Sequence, residues 1–239
     1  TNKDNACGVF QASTTRRPEE LRRMGREATM MKGTVKAITR QDCAPYIIGI
    51  HYAKRFPSVS FAFGLFDDSE NLIGVATFGT PASAPLRRGL CGDDYAGSVL
   101  ELNRVCLKYN RKNEASFLVS RALKMLGGDH VIVSFSDISQ GHLGVIYQAC
   151  NFIYCGLSAK RTDWKVRGKE HLHGQTIADE FRGVKNRAQA MRDKYGDDFY
   201  LEPRSRKHRY VMIKGSRGFV ARAKKSLKYQ ILPYPKENT

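Results

Sequence analysis

The stretch that most constrains this chain is residues 131–152, VIVSFSDISQGHLGVIYQACNF. Val131, Ile132 and Val133 form an apolar β-branched run, the mark of a buried strand. The run ends in Ser134-Phe135-Ser136-Asp137, which puts polar groups at the strand's C-terminal end. After Gly141 the spacing changes. Leu143, Ile146, Tyr147 and Cys150 recur at three and four residues, as on one face of a helix. Asn151 stops that helix, and Phe152-Ile153-Tyr154 opens another strand. A strand–polar turn–helix–strand unit with an acid at the strand end fixes chemistry at a rigid sheet edge. The rest of the chain must supply a second wall and a binding surface.

At 239 residues, 41% of them hydrophobic, there is material for a real core. No apolar run approaches the ~18 residues of a membrane span. The N-terminus TNKDNACGVF has no basic segment followed by an apolar one, so no signal peptide is expected. Cys7, Cys43, Cys91, Cys106, Cys150 and Cys155 are scattered without a CxxC pair, which reads as reduced thiols in a cytoplasm. The formal charge is +17 and unevenly placed. Residues 1–159 hold 19 basic and 14 acidic side chains, whereas residues 160–239 hold 21 and 9. Clustered cations release counterions from a phosphate backbone, so a nucleic acid is the expected partner. A solvated basic face is the plain alternative, and no strongly amphipathic helix points to a membrane.

In chain order, Pro18 to about Lys32 reads as a short helix carrying Arg22, Arg23 and Arg26, with Arg16 and Arg17 just before it. Thr34–Ile38 alternates like a strand, and Asp42 to about Tyr52 reads as a helix. His51-Tyr52-Ala53-Lys54-Arg55 then offers two polar rings and two cations for a substrate or phosphates, or merely a helix end. Residues 61–66 and 72–79 form a hairpin, and the Pro- and Gly-rich residues 80–97 read as a long loop. Val99–Leu107 is a strand holding Glu101, Asn103 and Arg104. Arg104 would bind an anion or a base edge, or form an ion pair with Glu101 or Asp137. Phe117–Leu126 is an amphipathic helix, with Ser116 as its N-cap or as a phosphate contact.

Residues 157–200 read as irregular, with Trp164 among Lys160, Arg161, Lys165, Arg167 and Lys169. That tryptophan would stack on bases or plug the core. His171-Leu172-His173 lacks a second pair at zinc spacing, so no metal is expected. Ile177–Tyr195 reads as mostly helical, His208–Ile213 as a strand returning to the sheet, and Arg217–Tyr229 as a basic helix. Lys54, Arg55, Trp164, Lys165, Arg167, Arg204, Arg206, Lys207, Arg222, Lys224, Lys225 and Lys228 are the candidates for contact with a nucleic acid.

The order of strands and helices resembles the acyltransferase fold of the GNAT superfamily, most strongly at Gly144-Val-Ile-Tyr147-Gln-Ala-Cys-Asn-Phe152. That resemblance implies an α+β fold: a central mixed, mainly antiparallel sheet flanked by helices. The pyrophosphate loop of such enzymes reads Gln/Arg-x-x-Gly-x-Gly/Ala, whereas Arg111-Lys112-Asn113-Glu114-Ala115-Ser116 has Glu and Ser in the glycine places. A carboxylate in a phosphate cradle argues against ordinary acyl-CoA binding.

From about Tyr46 to Arg182 the chain resembles, more narrowly, the Mom family of phage DNA-modification proteins. The matching blocks are His51-Tyr52-x-Lys54-Arg55, Ile73-Gly74-Val75 through Phe78-Gly79-x-Pro81, Glu101-Leu102-Asn103-Arg104, Asn113-x-Ala115-Ser116, Ser136-Asp137 and Gly141-His142-x-Gly144-x-Ile146-Tyr147 through Phe152. Arg209-Tyr210 and Pro233-Tyr234-Pro235-Lys236 complete the match. The resemblance implies transfer of a carbamoylmethyl, glycinamide-like group to adenine N6 in double-stranded phage DNA, shielding it from host restriction in the host cytoplasm. By analogy His51, Tyr52, Arg104, Ser116, Asp137 and Tyr147 carry activity, with Arg111 and Asn113 beside Ser116 as donor-binding candidates. The donor is an acyl or aminoacyl compound, acetyl-CoA being one option despite the absent glycine loop. Residues 34–235 are expected as one catalytic domain with a basic portion from about 160, residues 1–33 as a basic extension, and the chain as compatible with a homodimer.

On this reading Asp137 hydrogen-bonds the N6 amine and acts as base, or merely caps the following helix. Tyr147 donates to the leaving group or orients the substrate, Arg104 holds a phosphate or a donor carboxylate, and His51-Tyr52 orient the flipped base. Two other classes compete: a CoA-dependent N-acetyltransferase of a protein or small molecule, and a non-catalytic nucleic-acid-binding protein.

Overall fold

The computed structural model describes residues 33–51, 54–172 and 174–236. The helix expected at Pro18–Lys32 with its arginines, and the expectations for Tyr52 and His173, lie outside the described residues.

The chain opens with β1 (Thr34–Ala37) and α1 (Arg40–Ala44), which runs on as a π-helical turn over Pro45–Ile50. β2 (Phe61–Phe66) and β3 (Leu72–Gly79) form the hairpin. α2 (Ala84–Cys91) and a 3-10 turn (Asp93–Ser98) precede β4 (Val99–Leu107). α3 (Glu114–Met125) leads to β5 (His130–Asp137), and α4 (Val145–Ala149) to β6 (Ile153–Leu157). Then come β7 (Arg161–Val166), α5 (Gly174–Asp179), α6 (Arg187–Tyr195) and β8 (Phe199–Arg204). β9 (Lys207–Lys214) re-enters the main sheet, and α7 (Arg217–Lys225) follows. The sheet order is β1-β2-β3-β4-β5-β9-β6, with β7 and β8 as a separate ribbon. Only β4 and β5 pair in parallel; every other pair is antiparallel. The mixed, helix-flanked α+β sheet expected from sequence is present.

Several local expectations are corrected. Residues 80–97 hold α2 and a 3-10 turn rather than a loop. Ser83 caps α2 by accepting the Leu86 amide at 3.2 Å, Pro85 sits in the first turn where its missing N–H is harmless, and Gly92 (φ 104°) ends it. The Pro and Gly content thus marks helix ends. The helix expected from Asp42 begins at Arg40, behind a Thr39–Asp42 capping box, and its ladder changes at Pro45, which has no amide to donate. α3 starts three residues early, so Asn113 (φ 67°) is its N-cap and Ser116 lies within the first turn. Residues 157–200 are ordered around a small core of Val166, Ile177, Phe181 and Met191, and the long helix expected there is broken into α5 and α6. Trp164 packs edge-on to Phe199 against that core, 6.0 Å between centroids, which favours the core reading over an open stacking platform.

Strand alternation sends side chains to two faces. On the first, Phe63, Leu65, Phe78, Leu102, Ile132 and Tyr210 pack beneath Leu118, Val119 and Ala122 of α3 as one cluster. The second face carries two separate clusters. One joins Cys43, Tyr46 and Ile47 to Val75 and Cys106; the other joins Leu90 of α2 and Phe219 of α7 to Val131, Val133 and Val211. Between them β4 is bulged: Thr77 pairs with Arg104 and Phe78 with Leu102, leaving Asn103 extra. The bulge lets Leu102 and Val105 share the first face while Glu101 and Arg104 both turn to the second.

Candidate active site

The polar gap on the second face lies where the parallel strands part. Their pairing ends at Glu101↔Val133, after which β4 runs on to Leu107 and β5 to Asp137. The Ser134 hydroxyl, donating to the Leu102 carbonyl at 2.8 Å, ties them just beyond that point. Asp137 and Lys207 are register partners on β5 and β9 and form an ion pair at 3.2 Å. The ion pair foreseen between Asp137 and Arg104 is therefore made by Lys207. Arg104 instead donates to the carbonyls of Asn103 (2.7 Å) and Arg55 (3.0 Å).

Asp137 is saturated. Its Oδ1 accepts from the Ser139 amide (3.0 Å), the Ser139 hydroxyl (2.8 Å) and the Ser205 hydroxyl (2.6 Å). Burial alone would raise its pKa, but these bonds and Lys207 outweigh it and hold the carboxyl at about 2. A carboxylate that weakly basic is a poor proton acceptor at neutral pH. It also caps the 3-10 turn Ile138–Gln140, not the following helix α4, whose N-cap is Gly144.

His51 ends the π-helical turn, its amide donating to the Tyr46 carbonyl at 2.9 Å. Burial, with the positive charges of Arg104, His142 and Lys207, pushes its imidazole down to about 4. It is therefore neutral at pH 7. Glu101 behaves in the opposite sense to Asp137: burial raises its pKa, and Arg104 and Lys207 only partly offset that. No hydrogen bond or ion pair ties it among the described residues, and it lines a groove of about 860 Å³. The sequence offers Glu101 only as a possible ion-pair partner of Arg104. It marks Lys207 as a backbone contact, though Lys207 sits beside Asp137.

Tyr147 lies elsewhere in the packing. Its ring rests on Phe152 (5.5 Å) and Tyr210 (5.2 Å), and Tyr210 projects from β9 to the opposite face from Lys207. The Gly144–Phe152 segment has a structural logic of its own. Gly144 (φ 76°) lies where a Cβ would strike the Tyr210 ring, and the Gln148 amide donates to Tyr210 Oη at 3.2 Å.

Arg111, Asn113 and Ser116 close their loop on themselves. The fully buried Glu114 accepts the Arg111 amide at 2.8 Å, and the Ser116 hydroxyl donates to the Asn113 carbonyl at 3.1 Å. Glu114 Oε1 is buried without a hydrogen-bond partner. A pyrophosphate would put a second anion beside that carboxylate, so the residues present do not fit the phosphate cradle of an acyl-CoA. The described thiols are inert: Cys43, Cys91, Cys106, Cys150 and Cys155 are free and buried, and burial lifts each to about 11. Among the described residues no His/Cys/Asp/Glu group could hold a metal, and no helix is long and apolar enough to cross a membrane. Arg222, Lys224, Lys225 and Lys228 stand exposed on and after α7, as do Lys54, Arg55, Arg167 and Arg204; Arg206 donates to the Ser158 carbonyl and Lys165 pairs with Glu202.

A helix-flanked mixed sheet with a polar cluster at a parted parallel strand pair, on a strongly cationic chain, defines an α+β protein built around one polar site. The chain belongs to the Mom protein family, whose profile matches residues 32–236. It is 30% identical over 198 residues to the methylcarbamoylase Mom of Escherichia phage Mu, covering 78% of this chain and 76% of that one. Among solved structures it is similar to the spermidine/spermine N-acetyltransferase SpeG from Vibrio cholerae (14% identity, 76% of this chain, 92% of that one, TM-score 0.41). A GNAT-family acetyltransferase from Bacillus cereus gives 14% identity, 78% and 100% coverage and a TM-score of 0.41. At such distances the likeness says nothing of activity.

Proposed function

We propose that this chain transfers a carbamoylmethyl, glycinamide-like group to N6 of adenine in double-stranded DNA, so shielding a phage genome from host restriction enzymes. The observation that carries this reading is that Glu101, Arg104, Asp137 and Lys207 share one face of the sheet where β4 and β5 part, with His51 within reach of the charges of Arg104 and Lys207, in a chain 30% identical to a methylcarbamoylase.

Adenine N6 is a weak nucleophile and is paired within a duplex. The base must leave the stack, and the amine must lose a proton as it attacks. Glu101, raised by burial and open to the groove, is the group placed to take that proton. Asp137 stays ionised throughout, holding Lys207 in place. Neutral His51 offers a hydrogen bond to the extruded base, with Tyr52 beside it in sequence. Arg104 and Lys207 stabilise negative charge on the departing group. Tyr147 supports Tyr210 and the wall behind the site. Arg111, Asn113 and Ser116 shape a loop already filled by Glu114, which disfavours the CoA-dependent alternative.

The test is mass spectrometry of nucleosides from plasmid DNA of cells expressing the chain. A heavier deoxyadenosine is expected with the intact protein and its mass identifies the group. Glu101→Gln should lower its yield by about 10²–10⁴-fold, and Asp137→Ala should abolish it. Unmodified DNA, from cells in which the intact protein is folded and binds DNA, sinks the reading.

A further inference from the structure

The groove on the second face holds a cation that the reaction above does not use. Besides Glu101 and Phe135, its walls include Arg161, Arg204, Lys207 and Arg209. Lys207 is paired with Asp137, and Arg204 Nε lies 3.9 Å from Asp163. Arg209 differs. It is 9% exposed, no carboxylate among the described residues lies within ion-pair distance, and its buried Nε has no hydrogen-bond partner. Its guanidinium carbon sits 3.9 Å from the Tyr229 ring centroid and 6.0 Å from that of Phe135, its register partner on β5.

A guanidinium cannot discard its proton to ease burial, so a buried one needs an anion or π faces. The two rings supply the second and leave the first open. The Tyr229 ring, 3.9 Å away, also limits how the guanidinium can turn. A planar fork of donors held in this way suits two oxygens of one oxyanion, and loses little entropy on binding it. Lys207 lies two residues back on the same face of β9, roughly 7 Å away. With Arg161 and Arg204 also on the walls, the groove carries more positive charge than one carboxylate would need.

We propose that Arg209 anchors a phosphate-binding site in this groove, taking a phosphate mono- or diester whose flat portion lies along Phe135. The phosphate would come from the DNA strand beside the extruded adenine or from a free phosphorylated cosubstrate. The anion site stands on the groove alone, whereas the choice of an adenine nucleotide as its ligand rests on the reaction proposed above.

The test uses the purified full chain and two variants. Arg209→Met keeps length and ring contact, and Arg209→Lys keeps the charge but loses the fork. Calorimetric affinities are measured for 5′-dAMP, deoxyadenosine and a duplex carrying a mismatched adenine, at one salt concentration, beside thermal unfolding. The wild-type chain should bind 5′-dAMP at least tenfold more tightly than deoxyadenosine. Arg209→Met should erase that preference and Arg209→Lys should reduce it. A matching tenfold loss for the duplex assigns the phosphate to the DNA strand; an unchanged duplex affinity assigns it to a free cosubstrate. A folded Arg209→Met chain that binds both 5′-dAMP and duplex as the wild type does overturns the site, as does a wild type indifferent to the phosphate. If Arg209→Met does not fold, wild-type binding of both ligands by Arg209→Lys overturns it equally.

Discussion

Beneath α3, strands from β2 across to β6 contribute to one unbroken apolar cluster. Across the sheet the same strands carry two apolar clusters with a seam of Glu101, Arg104, Asp137, Lys207 and Arg209 near the place where β4 and β5 part. The first face supplies stability and the second pairs modest packing with charge held at a sheet surface. The contrast teaches where chemistry can sit: a bulge in β4 and a three-residue parallel pairing interrupt one core without weakening the other.

Three variants test that division, in falling order of effect on folding. Leu118→Ala, in the unbroken core, should cost about 3 kcal/mol in urea unfolding. A loss under about 1 kcal/mol would mean that α3 is not the main support of the sheet.

His51 tests the seam. Its folded pKa of about 4 lies below the ordinary 6.5, so on acidification the unfolded chain binds the proton first. Stability should therefore fall between pH 6.5 and 4, by at most about 1.4 kcal/mol per pH unit. His51→Gln should flatten that window. It should leave the loss below pH 3.8 that comes from Asp137, whose folded pKa of about 2 places its window lower. An unchanged slope in the variant would refute a cation-flanked, half-buried imidazole.

The smallest effect on folding belongs to the outer surface. Replacing Arg222, Lys224 and Lys225 of α7 by Gln should change stability by about 1 kcal/mol or less, because all three are exposed and lose only their favourable place at the helix end. Retardation assays should nonetheless show weaker DNA binding, with the salt slope shallower by roughly 0.9 for each phosphate contact removed. Wild-type affinity and slope in the triple variant would move the DNA surface off α7.

Much of the frame was legible in the residues themselves. The β-branched run at Val131–Val133, the alternating hairpin and the return strand at His208–Ile213 declare themselves because periodicity is a local property. α2 escaped detection because its Pro85 and Gly92 are loop residues in composition and helix-end residues in place. The β7–β8 ribbon escaped because its charged side chains mask a small core that forms only when Ile177 and Met191 reach it.

The candidate site divides in the same way. Local sequence determined that Asp137 ends a buried strand and that Arg104 and Glu101 share another, since each lies within a few residues of its own signal. Tertiary structure decided what those groups are. β9 inserts between β5 and β6, and so brings Lys207 and Ser205 to Asp137 from about 70 residues away in sequence and drives its pKa down. The same insertion sets Arg209 beside Phe135 and, with Tyr229 folded back over it, leaves a buried guanidinium without an anion. Charge state depends on burial and on neighbours, and neither is written at the residue itself.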